Sequence, residues 1–213
     1  MRTTRRGYLA AAAGTAAGLA GCIGGAAGPS GGGNCPAAKS GKVKTLAAPV
    51  IGDPEADVTV AAFEDFACPH CKHYSLETFP PIRKQFVDTK KVRYEQHDFP
   101  IPVNKKWSWA AGNAARSVQE QTDDATYFEY AHSLFENQTD YSMSLLGDLA
   151  DRVGATPCAV RAAARDDTYK PVLESDRQDG IKKGVRGTPT VFVNGKPVRA
   201  TVSDIRAAIK SKL

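Results

Sequence analysis

The chain has 213 residues, of which 42% are hydrophobic and 24% are charged, so it is long enough for one domain with a substantial core. Its formal net charge is +5, but three arginines lie in the first 21 residues, which contain no acidic residue. The remainder therefore carries only +2, which excludes the strongly basic footprint of a nucleic-acid-binding protein.

The first 21 residues have the pattern of an export signal. Arg5 and Arg6 form a positive segment, and the Ala/Gly-rich residues 8–21 are too short and too weakly apolar for a transmembrane helix. Residues 4–9 resemble the twin-arginine export signal. A basic cytosolic tail is the alternative interpretation of this segment.

Residues 19–22, Leu-Ala-Gly-Cys, resemble a lipobox, in which the chain is cut before the cysteine and the thiol carries a lipid. Cys22 is then the first residue of the mature protein; ordinary signal cleavage without a lipid is the alternative. The Gly-rich residues 22–45 predict a flexible, lipid-anchored linker rather than a folded element. The domain of residues 46–213 is therefore expected outside the cytoplasmic membrane, where disulfides persist.

The domain begins with a strand that leads into a pair of cysteines. Residues 57–67 are rich in Val and Phe, which predicts a buried strand. Cys68 and Cys71 follow directly, and Pro69 suits the first turn of a helix because its missing N–H would be unpaired there. A stripe of apolar residues at helical spacing continues this helix, which Pro80 and Pro81 are expected to kink or split: Leu76, Phe79, Ile82 and Phe86.

The rest of the chain alternates between strands and helices. A second strand is predicted near residues 92–99, and residues 104 to about 168 have the apolar spacing of a helical block, in which Thr156 and Pro157 begin a helix. Residues 190–198 predict a β-hairpin that turns at Asn194 and Gly195. Thr201 and Asp204 then have the spacing of a capping box before the last helix. This order indicates an α/β domain with a helical insertion.

These features resemble a known family. A strand, a CxxC at a helix N-terminus and a late Gly-Thr-Pro-Thr before a hairpin resemble the thioredoxin fold. The dipeptide Pro69-His70 and the helical block resemble the DsbA type of thiol-disulfide oxidoreductase, over roughly residues 47–213. The resemblance implies an α/β fold, a thioredoxin fold with a helical insertion, at about 104–168, between its βαβ and ββα halves.

The resemblance also implies a function. We expect an exported enzyme that oxidises cysteine pairs of other exported proteins through a mixed disulfide, without a cofactor. Its expected partners are those cysteine-containing proteins and a membrane redox protein that restores the cysteine pair. The chain itself is expected to be a monomer.

Thiol chemistry and the resemblance together assign roles to the pair and its neighbours. The thiolate is the nucleophilic form of cysteine, and unpaired N–H groups at a helix N-terminus favour an anion. Cys68 is expected to be the exposed sulfur that forms the mixed disulfide, and Cys71 the deeper, resolving sulfur. His70 is expected to donate to the Cys68 thiolate and so to lower its pKa.

The remaining residues of the expected site contact the substrate. Pro189 resembles the cis-proline that faces the cysteine pair in this family, and an X-Pro bond adopts the cis form at modest cost. The backbone of Thr188 is expected to bind an extended substrate segment by strand addition. Phe66 and Pro69 are expected to line the approach.

One departure from the family concerns proton transfer. Many relatives bury a carboxylate six residues before the first cysteine, where this chain has Ala62. The nearby acids are Glu64 and Asp65. Each is either a proton acceptor for Cys71 or a solvated charge at the end of a strand, and the solvated charge is favoured here.

Two further cysteines and three other classes of function remain open. Cys35 and Cys158 are left over, which predicts a disulfide between the linker and the helical block, although Cys35 alternatively bonds another molecule. The alternatives to an oxidase are a reductase or isomerase on the same fold, a tethered binding protein without catalysis, and a metal-binding module. The metal-binding module is disfavoured because structural zinc sites usually draw ligands from two separated pairs, and the sequence has no second pair.

Overall fold

The computed structural model describes residues 41–213, so the signal segment, Cys22 and Cys35 lie outside the described residues. Five strands form one sheet in the order β1-β3-β2-β4-β5. The strands β2 and β3 are parallel, and every other neighbouring pair is antiparallel. The strands are β1 (Val50–Gly52), β2 (Thr59–Glu64), β3 (Arg93–Asp98), β4 (Thr190–Val193) and β5 (Lys196–Val198).

A helical segment that starts at the cysteine pair connects β2 to β3. It consists of α1 (Pro69–His73), a π-helical turn (Tyr74–Thr78), α2 (Phe79–Ile82) and a second π-helical turn (Arg83–Val87). Pro80 and Pro81 have no N–H to donate, and the helix widens around them, so that the Phe79 N–H bonds the Tyr74 carbonyl five residues earlier. The predicted interruption is therefore a local widening, not a break, and the segment keeps Phe79, Ile82 and Phe86 buried.

The predicted helical block contains four helices that pack on one another and on the cysteine-bearing segment. They are α3 (Trp107–Gln121), α4 (Asp124–Glu136), α5 (Met143–Arg152) and α6 (Pro157–Arg165). Thr156 does precede α6 with Pro157 in its first turn, but the Thr156 side chain makes no capping hydrogen bond.

A further helix, α7 (Lys170–Lys182), was not predicted and extends the helical region past residue 168. It packs on the sheet and on α3: a Cβ added at Gly180 would lie 2.8 Å from the Phe99 ring and 3.0 Å from the Phe63 ring, and one added at Gly112 of α3 would lie 2.6 Å from Leu173. Gly180 therefore allows the close approach of α7 to β2 and to the end of β3. The inserted block is α3–α6, and α7 belongs to the sheet layer.

The end of the chain has the predicted hairpin and capped helix. Asn194 and Gly195 both have positive φ angles, 44° and 75°, as the tight turn between β4 and β5 requires. The last helix, α8 (Val202–Lys210), begins after Thr201, whose hydroxyl accepts the Asp204 N–H at 3.3 Å. The chain thus has βαβ and ββα halves on one sheet, with the helical insertion between them.

A buried ionic cluster joins the insertion to the sheet layer. Arg116 on α3 is 0% exposed, and its Nε donates to Asp98 on β3 at 2.6 Å. Its two Nη atoms donate to Asp176 on α7 and to the Ala47 carbonyl. Asp98 and Asp176 lie on elements other than α3, so the cluster fixes α3 relative to β3 and α7. Between residues 41 and 213, no helix has the length and apolarity needed to span a membrane.

Candidate active site

The cysteine pair lies where β2 gives way to α1. Cys68 is the N-cap residue of α1, with extended backbone angles, and its N–H donates to the Asp65 carbonyl at 3.0 Å. Cys71 lies one turn into the helix, and its sulfur accepts the Asp65 N–H at 3.4 Å. Both thiols are free, so the structure represents the reduced pair.

Cys68 is less exposed than the sequence suggested. It is 2% exposed and Cys71 is 0% exposed, so the expectation of an exposed Cys68 is wrong for the residue as a whole. The segment before β4 contributes to this burial, since the Thr188 carbonyl lies 3.5 Å from the Cys68 sulfur. The neighbouring Pro69 and His70 are exposed and form the rim of the site.

The two thiols have opposite pKa shifts. The pKa of Cys68 falls to about 5, mainly because the Cys71 thiol donates a hydrogen bond to it, against the opposing effect of burial. Thr188 and the backbone N–H groups of Cys71 and His70 also lower it. Burial and the hydrogen bond to Cys68 raise the pKa of Cys71. The reduced pair therefore holds one negative charge, on Cys68, and one proton, on Cys71.

The residues opposite the pair are those that the sequence predicted. The Thr188–Pro189 peptide bond is cis. The Thr188 hydroxyl is buried without a hydrogen-bond partner among the described residues. The Thr188 carbonyl lies 3.5 Å from the Cys68 sulfur, so the residues around the cis bond lie directly opposite the reactive thiol.

The loop before the cysteines is held from two sides. Asp65 is buried, and its carboxylate accepts the N–H of Ala67 and the N–H of Ile101, both at 2.7 Å. From the insertion, Gln138 Nε2 donates to the carbonyls of Phe66 and Cys68, at 2.8 and 2.9 Å. The loop is therefore rigidly placed, and the solvated role favoured for Asp65 is wrong.

Comparisons with known proteins agree with this geometry. The thioredoxin family model matches residues 44–211. Disulfide bond formation protein D of Bacillus subtilis is 30% identical over 184 residues, which cover 83% of this chain and 82% of that protein. The crystal structure of oxidised BdbD from Bacillus subtilis matches with a TM-score of 0.72 at 29% identity, covering 83% of this chain and 98% of that chain. Chlamydia trachomatis DsbA matches with a TM-score of 0.66 at 23% identity, covering 81% and 96%, which supports the fold.

The chain is a DsbA-type thiol-disulfide oxidoreductase of the thioredoxin family. Its fold is the thioredoxin fold with a helical insertion. The family assignment is independent of the pKa argument, and both point to exchange of disulfides at Cys68 and Cys71.

Two predicted site residues occupy other positions than expected in this DsbA-type site. Phe66 is buried and packs on Phe135 of α4, with ring centroids 4.9 Å apart, so its side chain supports the loop instead of lining the approach. His70 lowers the pKa of Cys68 through its backbone N–H, while its ring lies at the exposed rim. A tuning role for the imidazole stays a prediction.

The insertion supplies site residues that the sequence analysis missed. Besides Gln138, the Tyr141 hydroxyl lies 3.0 Å from the Phe66 carbonyl and 2.9 Å from the Leu134 carbonyl. Both residues lie in the connection between α4 and α5. A side-chain amide and a phenol in a loop have no periodic signal, so only the tertiary structure identifies them.

Glu64, at the end of β2, is buried as well, at 3% exposure, so a solvated role is wrong for this residue too. Burial raises the pKa of its carboxyl to about 8, partly offset by a hydrogen bond from Ser75.

Of the other cysteines, Cys158 is disulfide-bonded, but Cys35 lies outside the described residues, so their pairing stays a prediction. Residues 41–213 contain no group of three or more His, Cys, Asp or Glu arranged to hold a metal ion.

Proposed function

We propose that this oxidoreductase forms disulfide bonds in exported, cysteine-containing proteins, outside the cytoplasmic membrane. The observation that carries the proposal is the position of Cys68 at the N-cap of α1, where the Cys71 thiol and two backbone N–H groups lower its pKa to about 5. Stabilising the Cys68 thiolate stabilises the reduced pair relative to the disulfide, because only the reduced pair contains it. The disulfide of Cys68 and Cys71 is then a strong oxidant, which suits a protein that donates disulfides.

The proposed reaction has two exchange steps. A substrate thiolate attacks the Cys68 sulfur of the protein disulfide, the Cys68–Cys71 bond breaks, and Cys71 leaves as a thiolate that takes up a proton. A second substrate thiolate then attacks the substrate sulfur of the mixed disulfide. Cys68 leaves as a thiolate, and its low pKa makes it a good leaving group. The substrate loses two electrons, and the cysteine pair gains them.

The substrate segment is proposed to lie across the cis-proline. Thr188 and Pro189 face Cys68, and the Thr188 backbone is suited to pair with an extended chain as an added strand. Pro69 and His70 form the exposed edge of this surface. In the reduced structure the Thr188 carbonyl lies beside the Cys68 sulfur, so a bound substrate takes the place of that contact.

The cellular setting is also a proposal. A twin-arginine-type signal in residues 1–21 and a lipid on Cys22 place the domain on the outer face of the membrane, near a membrane redox partner that reoxidises the pair. The domain acts as a monomer there. Mass spectrometry of the membrane-fraction protein tests the anchor, and an unmodified Cys22 thiol there argues against it.

A second disulfide is proposed between Cys35 and Cys158. It supports the domain because it ties the linker to α6, which begins at Pro157. Peptide mapping without reduction tests this pairing. A Cys158 peptide bonded to any residue other than Cys35 would rule the pairing out.

The direction of electron flow is tested by the reduction potential of Cys68 and Cys71. The full 213-residue chain is equilibrated with glutathione buffers, quenched with an alkylating agent and analysed by mass. We expect a potential above about −180 mV, that is, more oxidising than protein disulfide isomerase. A potential near about −270 mV, the range of thioredoxin, contradicts the oxidase and indicates a reductase. The Cys68→Ser variant is the control, since it lacks the Cys68–Cys71 pair and any titration that remains belongs to the other cysteines.

A further inference from the structure

Two segments flank the cysteine pair at one edge of the sheet. Because β2 and β3 are parallel, the residues after β3 (99–106, the β3 flank) start at the edge where β2 leads into Cys68. Because β4 is antiparallel to β2, the residues before it (183–189, the β4 flank) reach the same edge from the other side. Ile101 of the first flank bonds the loop before the cysteines, and Thr188 of the second lies beside the Cys68 sulfur. A substrate that reaches Cys68 therefore passes between the two flanks.

The β4 flank has two exposed cations, Lys183 directly after α7 and Arg186 shortly before the cis peptide bond. The neighbouring Lys182 pairs with Asp179 at 2.9 Å, whereas neither Lys183 nor Arg186 forms an ion pair with another of the described residues. The Lys183 ammonium lies 5.8 Å from the ring centroid of Phe63, near the end of β2. Both charges are therefore available to a molecule bound at this edge.

The β3 flank has two more exposed cations, Lys105 and Lys106, where α3 begins. The first turn of α3 contains no acidic residue, although the helix dipole favours negative and disfavours positive side chains there. Helix stability therefore does not account for these lysines. The Lys106 ammonium lies 4.4 Å from the ring centroid of Trp107, and the loop tip before them is apolar, with Val103 54% exposed.

The excess of positive charge is local to these flanks. Four of the 28 lysines and arginines precede residue 41, whereas all 23 acidic residues follow it, so the described domain has a net charge of only +1. The two flanks contain four cations and no acidic residue. Exposed acids do occur on the elements next to them, at Asp140 in the connection between α4 and α5 and at Asp179, which Lys182 pairs. The basic rim consists of Lys105, Lys106, Lys183 and Arg186.

We propose that the basic rim selects substrates whose reactive cysteine lies in an extended segment with acidic side chains on both sides. This inference rests on the proposed function, because it concerns the surface on which the substrate of that reaction lies. An extended segment advances about 3.3 Å per residue, so side chains two or three residues from the cysteine lie roughly 7–10 Å along it, within the reach of lysine and arginine side chains in the flanks. The exposed Val103 offers a contact for an apolar side chain of the same segment.

The rim also suits the chemistry of the attacking group. The substrate attacks as a thiolate, and acidic neighbours disfavour that anion by raising the pKa of the substrate thiol. The cations of the rim offset this effect once the segment is bound, and they attract the segment before it binds. A substrate with acidic flanks is therefore both captured and activated at the rim.

The position of the rim favours a protein substrate over an anionic membrane surface. The cations lie on both sides of Cys68 and of the cis peptide bond, where the substrate of an exchange reaction has to lie. A lipid surface seated on all four cations would cover the reactive sulfur. An extended peptide uses the same charges while its own sulfur contacts Cys68.

Peptide oxidation by the full chain tests the selection. The oxidised protein is mixed at pH 7 with an excess of a short reduced peptide that contains two cysteines, quenched in acid at successive times and analysed by mass. The peptide loses two electrons and becomes a disulfide, and the Cys68–Cys71 disulfide gains them. Three peptides differ only in the residues on each side of the cysteines, which are Glu, Gln or Lys.

The readout is the ratio of the rates for the Glu and Gln peptides. We expect this ratio in wild type to be at least about fivefold higher than in a variant in which all four rim residues are replaced by Gln, in about 20 mM salt. The intrinsic reactivity of each peptide cancels in this comparison. In about 1 M salt, where the Debye length is about 3 Å, the two proteins should have the same ratio. Replacing Lys105 and Arg186 by Glu should make the Lys peptide the preferred one.

A second fourfold variant is the matched control for net charge. It replaces four exposed lysines outside both flanks by Gln, and it should keep the wild-type ratio: Lys84, Lys91, Lys210 and Lys212. The same loss of the ratio in this control overturns the rim, because net charge alone then accounts for it. Equal slowing of the rim variant with all three peptides indicates a structural role and also overturns the rim.

A wild-type ratio that the rim variant shares overturns the selection of acidic substrates. If the rim variant with that unchanged ratio also loses binding to vesicles of phosphatidylglycerol and phosphatidylcholine, the rim is a membrane surface instead. The proposed function fails separately, if the oxidised wild-type protein oxidises none of the three peptides. If it oxidises all three with a ratio that does not depend on the rim, only the present inference fails.

Discussion

The charge on Cys68 is set by donors that lie within a few residues of it or directly across the site. The largest is the Cys71 thiol, followed by Thr188 and two backbone N–H groups, with burial acting in the opposite direction. The two cysteines therefore act as one unit, in which a single proton holds the thiolate in place. A substitution at Cys71 therefore changes the pKa of Cys68 even though the Cys68 side chain itself is unchanged.

This dependence predicts a specific titration. The thiolate absorbance of the reduced protein at 240 nm should appear with a midpoint near pH 5. Cys71→Ala should raise that midpoint by roughly one unit or more, because the strongest donor is lost. His70→Ala keeps its backbone N–H and should raise the midpoint by less. The oxidised protein is the control and should show no step near pH 5; a wild-type midpoint near the ordinary cysteine value of about 8.5 would contradict the arrangement.

At the scale of elements, the helical insertion positions the site. Gln138, Tyr141 and Phe135 all lie on or just after α4, and each contacts Phe66. Lys72 of α1 in turn donates to the Glu136 carbonyl at 3.1 Å. The insertion therefore holds the loop before the cysteines in place and also covers one face of α1. Its own placement depends on the cluster around Arg116.

Breaking that cluster should destabilise the whole domain. Arg116→Met leaves the buried Asp98 without its cation and removes the guanidinium from the partly buried Asp176, and removing one partner of a buried ion pair costs about 3–5 kcal/mol. Urea unfolding should show this loss in the free energy of unfolding at pH 7. Arg165→Met, which removes an exposed ion pair with Asp166 at the end of α6, is the matched control and should change little. Equal stability of the two variants would contradict the clamping role of Arg116.

The elements that could be predicted from sequence are those specified locally. The Val-rich strand before the cysteines, the Asn194-Gly195 turn and the Thr201 cap each depend on residues within a few positions of one another. The helix α7 could not be predicted in the same way, because it is highly charged and its contact with the sheet depends on Gly180 meeting Phe63 and Phe99 from distant segments.

The candidate site also contains some residues that short sequence patterns predict and others that they do not. The CxxC spacing and the late Thr-Pro identify the reacting sulfurs and the residues opposite them, since these patterns are short. The burial of Glu64 and Asp65 depends on helices far away in sequence that cover the end of β2, and no local pattern reports it. In the sequence, Ala62 stands where many relatives have a buried carboxylate. In the structure the carboxyl of Glu64, two residues later on the same strand face, occupies the interior.

For the molecule as a whole, the buried Glu64 links stability to pH. Its folded-state pKa of about 8 lies above the unfolded value near 4.5, so between these values the folded protein holds a proton that the unfolded chain releases. Stability therefore falls as pH rises through this window. Glu95 has the opposite sign: its pKa is lowered to about 2, chiefly by the hydrogen bond with His97, so its stabilisation is lost only as pH falls below about 4.5.

A comparison of Glu64→Gln with wild type isolates the Glu64 contribution, because both proteins share Glu95. Glutamine has the shape of the protonated carboxyl and never ionises. The variant should match wild type near pH 4.5 and exceed its free energy of unfolding by roughly 3 kcal/mol at pH 7. Urea unfolding of the reduced proteins at both values measures this, with Glu77→Gln as the exposed control. A difference that is the same at pH 4.5 and pH 7 would mean that Glu64 does not change its protonation between folded and unfolded states.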